Sequence, residues 1–224
     1  MKKQIIVLLI AIFLITLCSC EKLEALLDKS TVASTTVVET NMQDELNRAM
    51  QLYKEFLGGK HSVTDREGYT LYIENFFIGT YDRPDDYKEC YAYYDMNGDG
   101  IPELHVKGVV YGILSCINSE LVFWSCFGRG AKPLNSGAIF YEGHEDERPA
   151  YDCIRTSCYY MELDFYGQEK SRVSFVKIQS EDERVNSVWY FGNEEVSKEE
   201  WNTLTEPYFS IGSDKVEWIE YVPQ

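Results

Sequence analysis

After Gly68 the hydrophobic pattern of this 224-residue chain changes period, and that change constrains the fold more than any other feature. Before it, from Gln43 to Leu57, the apolar residues Leu46, Ala49, Met50, Tyr53, Phe56 and Leu57 recur at three- and four-residue spacing. That spacing draws one stripe along a helix, the stripe that buries against a core. Asn41 is placed to cap the helix, Asp44 and Glu45 suit its first turn, and Gly58-Gly59 ends it. After Gly68, short runs of Tyr, Phe, Ile, Val and Trp alternate with polar residues, the period of a half-buried strand. The runs predict strands over 69–74, 89–94, 104–111, 113–117, 121–126, 137–141, 157–165, 172–178 and 186–191. Asn118-Ser119, Gly167-Gln168 and Gly192-Asn193 supply hairpin turns between them. Ser197-Lys198-Glu199-Glu200 has the spacing of a capping box and predicts a short helix ending near Pro207, with a last strand from Lys215 to Tyr221. The acidic stretch 142–149 and residues 180–184 read as exposed loops. The fold class is therefore α+β: a mostly antiparallel sheet with an N-terminal amphipathic helix and a short C-terminal helix.

The first forty residues follow different rules. Lys2 and Lys3 precede an apolar run from Ile5 to Leu17, too short for a spanning helix of ~20 residues but right for an export signal. Leu17-Cys18-Ser19-Cys20 resembles the bacterial lipobox, in which the last Cys becomes the lipidated first residue of the mature chain. Cys20 fits that role, and Cys18 does not, because bulky Leu17 stands directly before it. Cys18 is itself a departure, since Ala, Ser or Thr is usual at its place. Ordinary signal cleavage nearby is the alternative. The expected organisation is a signal peptide over 1–19, a lipidated Cys20 with a tether over 20–40, and a single globular domain over 41–224. Each buried methylene of a lipid anchor contributes ~0.8 kcal/mol, so two acyl chains hold a protein stably at a membrane. The expected address is the extracytoplasmic face of a cell membrane.

Composition narrows the partners. A formal charge of -16 repels nucleic acid and anionic headgroups, which excludes nucleic-acid binding. Aromatic residues make up 14% of the chain, enough to fill a core. Beyond the signal lie Cys90, Cys116, Cys126, Cys153 and Cys158. Cys153 with Cys158 across a tight turn, and Cys116 with Cys126 across a hairpin, are the pairings their spacing permits; buried free thiols are the equal alternative.

The segment Asp95-Met96-Asn97-Gly98-Asp99-Gly100-Ile101-Pro102-Glu103 carries the clearest chemistry. Oxygen donors stand at alternate positions around a glycine turn: Asp95, Asn97, Asp99, the Ile101 carbonyl and Glu103. Calcium takes six to eight oxygens at ~2.3–2.6 Å, and this spacing supplies most of them. Two carboxylates ~5.5 Å apart repel by ~3 kcal/mol at an effective dielectric of ~20, and a divalent cation turns that repulsion into a cross-link. The other reading is a bare turn held by side-chain-to-backbone bonds.

From Asp95 to Ile101 the loop is similar to an EF-hand, but Val106 stands where that motif needs its bidentate Glu, and Pro102 lacks an amide. Strand-forming Tyr91, Tyr93 and Tyr94 precede it, and Val106, Val109 and Val110 follow. The segment more closely resembles the calcium loops of FG-GAP and integrin-type repeats, which join two strands; with one loop, their propeller is not implied. More widely, Tyr93 to Leu104, an amphipathic helix ending Phe56-Leu57-Gly58, and a second helix starting Val196-Ser197-Lys198-Glu199-Glu200 resemble secreted bacterial surface lipoproteins of unknown function. The resemblance implies extracytoplasmic location and a calcium-type loop, and no activity.

Catalytic signatures are absent from the sequence: there is no nucleophile elbow, zinc-protease helix, phosphate loop or dinucleotide fingerprint. His61 lies in a polar loop, His144 in the acidic stretch, and His105, between Leu104 and Val106, is expected on the solvent side of its strand. Tyr87, Tyr91, Trp124, Tyr159, Tyr160 and Trp189 either pack a core or stack on sugars. The expectation is a lipid-anchored, non-catalytic domain with one calcium-stabilised strand–loop–strand. The alternatives are a glycan-active or glycan-binding surface protein and an accessory subunit of a membrane complex, with a protein or glycan partner.

Overall fold

Two antiparallel sheets of unequal width carry the fold. The computed structural model describes residues 41–77, 88–148, 153–180 and 186–223. Residues Leu46–Gln224 form one compact unit. The signal, Cys20 and the tether lie outside the described residues, as does Tyr87. Among the described residues no helix is long and apolar enough to cross a membrane.

Helix α1 spans 41–57. Lys60 N–H donates to Glu55 O (2.8 Å) and Gly59 N–H to Phe56 O (3.0 Å), closing the helix end with a Schellman pair. Strands β1 (Val63–Thr64) and β2 (Thr70–Leu71) form a small ribbon, and α2 (Glu74–Phe77) follows. Next come β3 (Cys90–Tyr94), β4 (Glu103–Lys107), β5 (Val110–Ile117), β6 (Glu120–Gly128), β7 (Lys132–Pro133), β8 (Ile139–Arg148), β9 (Cys153–Leu163) and β10 (Glu169–Ser180). The chain ends with β11 (Val188–Phe191), β12 (Glu194–Val196), α3 (Lys198–Phe209) and β13 (Ile219–Glu220). The five-stranded sheet has the order β13-β3-β4-β5-β6, and the six-stranded sheet β12-β11-β10-β9-β8-β7.

Strand alternation sorts the side chains into three layers. Leu104, Val106 and Leu114 leave one face of the five-stranded sheet and meet Ala49, Tyr53 and Phe56 of α1 and Phe76 of α2. Tyr111, Ile113 and Trp124 leave the other face and meet Ile139 and Met161 of the six-stranded sheet. Phe140, Cys158 and Phe175 leave that sheet outward, onto Trp201 of α3. The fold is a sheet-on-sheet sandwich with helices outside, as period-two burial on both faces requires.

Several sequence expectations are corrected. The run 104–111 is broken by a turn, and β5 starts at Val110, because Gly108 N–H donates to Val110 O (2.9 Å) and folds the chain back. The stretch 142–149 is no loop up to residue 148: β8 continues through it, because β9 offers a partner at every residue but Glu147, as in Gly143↔Ser157 and His144↔Thr156. Residues 74–77 are helical, and the strand expected from Lys215 to Tyr221 shrinks to Ile219–Glu220. Helix α3 passes Pro207 and closes at Ser210, whose N–H reaches Glu206 O (3.0 Å). The capping box forms as expected, with Glu200 N–H donating to Ser197 Oγ (3.2 Å) and Ser197 N–H to Glu200 Oε2 (3.0 Å).

The five cysteines from Cys90 to Cys158 are free thiols. Cys153 and Cys158 lie on one continuous strand rather than across a turn, and Cys116 stands opposite Leu121 while Cys126 stands opposite Gly112. His105 is fully buried, not solvent-facing. The second sheet covers the face that a single-layer sheet would have left in water.

Candidate functional site

The loop between β3 and β4 draws its shape from its own side chains. Asp95 Oδ1 accepts from Gly98 N–H (2.7 Å) and Oδ2 from Gly100 N–H (2.9 Å). Asn97 Oδ1 accepts from Asp99 N–H (2.9 Å), and Asp99 Oδ1 from Ile101 N–H (2.7 Å). Asn97 Nδ2 donates to Asp99 Oδ2 (2.9 Å) and Glu103 Oε1 (3.3 Å), and Met96 N–H donates to Glu103 Oε2 (2.8 Å). Asn97, Asp99 and Glu103 therefore meet at one focus, with Asp95 holding the glycines beside them. Ile101 enters through its amide.

Glu103 is the unusual member. It is fully buried, whereas Asn97 and Asp99 are exposed. Burial, with the charges of Asp99 and Asp95 beside it, pushes its carboxyl up to about 8. The Tyr53 hydroxyl of α1 senses the same cluster: burial raises its pKa first, and Glu103 and Asp99 raise it further. Among the described residues no group of three or more His, Cys, Asp or Glu side chains is gathered as a ready metal cage. Asp95, Asp99 and Glu103 bring carboxylate oxygens, which suit a hard cation, whereas Asn97 turns its Nδ2 to the focus and Ile101 its amide, so both would have to turn their carbonyls inward to join them.

The loop also ties the two sheets together. Tyr94 Oη donates to Leu134 O (3.0 Å), and Gly137, at φ 81, lies so close to Met96 O that a Cβ there would collide with it. The turn holding Leu134 and Gly137 clips the C-terminal segment as well: Asn135 Nδ2 donates to Asp214 Oδ1 (2.6 Å), and Lys215 N–H to Asn135 Oδ1 (3.1 Å).

Sequence reasoning missed two further groupings. His105 Nδ1 and Tyr111 Oη lie 2.5 Å apart, sealed between the sheets, where burial lowers the imidazole to about 4 and raises the phenol. At the β6 edge, two adjoining clefts of about 310 and 500 Å³ share Arg66, Ser125 and Cys126. No local motif announces them, because their walls come from β2, β6, β8, β9, β10 and α2. Trp124 and Tyr160 pack cores, while Tyr159 lines the larger cleft.

No known protein family, characterised protein or solved structure matches the chain.

Proposed function

We propose that this chain is a lipid-anchored extracytoplasmic domain with a non-catalytic role, in which the Asp95–Glu103 loop binds one calcium ion that clamps the corner between the two large sheets. The observation that supports the reading is a buried carboxyl group that no cationic side chain among the described residues answers. Glu103 is fully buried beside Asp95 and Asp99, and the backbone amides of Met96 and of Glu103 itself and the side-chain amide of Asn97 donate to it. A buried charge costs several kcal/mol unless it is compensated. A proton compensates it in the metal-free protein, and a divalent cation does so when present. Asp95, Asp99 and Glu103 would hold the ion through carboxylates, Asn97 through its side-chain carbonyl and Ile101 through its backbone carbonyl. With three carboxylates and no bidentate twelfth ligand, affinity falls in the ~10⁻⁴–10⁻³ M range of extracellular modules. Cys20 supplies the membrane anchor, on the strength of Lys2-Lys3, the apolar run and the lipobox resemblance.

Calorimetry in calcium and in EDTA tests the clamp. At ten times Kd the ion adds ~1.4 kcal/mol, a Tm rise of ~3–6 °C for a domain of this size. Asp99→Ala is expected to abolish the rise. Equal Tm in calcium and EDTA would refute the clamp. For the anchor, Cys20→Ser is expected to move the protein from the membrane to the soluble fraction, and a variant that stays on the membrane removes that half of the reading.

A further inference from the structure

β6 is the edge strand of the five-stranded sheet, and beside it residues of β8, β9 and β10 line an open cleft, the larger of the two. Phe127, Tyr141, Tyr159, Met161 and Leu163 line it together with Glu169 and Arg172. Tyr141 and Tyr159 stack at 6.0 Å and 14°. The Arg172 guanidinium lies 5.4 Å from the Tyr159 ring centre and pairs with Glu169, and both side chains remain about half exposed. Arg66 fixes the junction with the smaller cleft by donating to Trp124 O (2.9 Å) and Gly167 O (2.6 Å). That smaller cleft adds Asp65, Glu67 and Asn75. In the same turn as Gly167, which lines the larger cleft, stand Phe165 and Tyr166, 48% and 62% exposed.

We propose that these joined clefts bind a neutral oligosaccharide along the β6 edge. An occupant must offer apolar faces to half-buried aromatic rings and many hydroxyls to planar charged groups, the two faces of a pyranose ring. It carries no net charge, because the charges of the clefts nearly cancel, Asp65, Glu67 and Glu169 against Arg66 and Arg172, and favour neither sign strongly. It reaches across both clefts, because they adjoin and share Arg66, Ser125 and Cys126. This site stands apart from the Asp95–Glu103 loop and does not rest on calcium.

The test uses the full-length protein in mild detergent with hexasaccharides of β-1,4-glucose, β-1,4-xylose, β-1,4-mannose, α-1,4-glucose and β-1,4-N-acetylglucosamine. Titration calorimetry is expected to find one that binds in the ~0.1–1 mM range. The same sugar is expected to slow iodoacetamide labelling of Cys126, read by peptide mass mapping. Arg172→Ala removes an exposed side chain that the fold does not need and is expected to weaken binding about tenfold. Glu169→Gln, which keeps the shape, is expected to weaken it by a smaller factor. EDTA is expected to leave binding unchanged. No binding by any of the five, binding that leaves Cys126 labelling unaffected, or binding undiminished in both variants would overturn the proposal. So would saturation of the cleft by an extended peptide while all five sugars fail.

Discussion

Glu103 and His105 sit two residues apart on β4, and burial acts on them in opposite senses because one is charged without its proton and the other with it. The Glu103 carboxyl rises from 4.5 to about 8, so its folded form holds a proton that the unfolded chain has released. Its stabilisation is complete below pH 4.5 and is lost as pH rises towards 8. The His105 imidazole falls from 6.5 to about 4, so its stabilisation is complete above pH 6.5 and is lost as pH falls towards 4. Between pH 4.5 and 6.5 the two slopes oppose each other. In EDTA the urea midpoint is therefore expected to be nearly level between those values. It should fall on the alkaline side as far as pH 8, and on the acid side, where Glu200 and Asp214, both held below their usual range, add to the loss. Glu103→Gln is expected to remove the alkaline fall, and so is saturating calcium. A midpoint in EDTA that stays constant from pH 6.5 to 8 would show that Glu103 is ionised in the folded protein without a metal.

Three hairpin turns of this fold were legible in the sequence, because each is encoded within a few residues, whereas the Gly108–Val109 turn was hidden inside an apolar run. Asn118 and Ser119 take φ 53 and 65 in a two-residue hairpin turn, and Ser197 with Glu200 builds the cap of α3. What defeated local reading was the supply of neighbours. Charged residues 142–148 look like a loop until β9 provides their ladder, and Pro207 looks like a stop until it is seen in a last turn already closed from Ser210. Two glycines separate the local from the tertiary effect. Gly192, in the β11–β12 turn, has φ 62 and open space where a Cβ would stand, so Gly192→Ala is expected to cost only the backbone strain, ~1 kcal/mol. Gly137 has φ 81 and Met96 O against it, so Gly137→Ala must also push the β3–β4 loop away and is expected to cost ~2 kcal/mol or more. Chemical denaturation of both variants checks this. Equal losses would mean that the close approach of the turn to the loop contributes nothing.

At the scale of the whole molecule, what sequence could not supply is the pairing of one sheet with another. Alternation along β4 predicts one apolar and one polar face, and it misplaces His105 because the second face meets β8 and β9 across the sandwich rather than water. The edge clefts were hidden for the same reason: their walls converge from strands far apart in the chain, whereas the Asp95–Glu103 loop is nine consecutive residues and was visible at once. The sandwich also explains how the domain can hold together with its thiols unpaired. Cys153 and Cys158 are five steps apart on an extended strand, ~16 Å, well beyond the ~7 Å between Cα atoms that a disulfide permits. The layers are held by three apolar clusters instead. Without reductant, the unfolded protein is therefore expected to alkylate fully at Cys90, Cys116, Cys126, Cys153 and Cys158. In the folded protein Cys126, the exposed one, should react first. Cys158 should react last, since burial, aided by Glu142, pushes its thiol up to about 12 and leaves almost no thiolate at neutral pH. Peptide mapping reads both orders, and dithiothreitol should leave Tm unchanged. A disulfide-linked peptide joining any two of the five would mean that covalent closure, and not sheet-on-sheet packing, sets the stability of this domain.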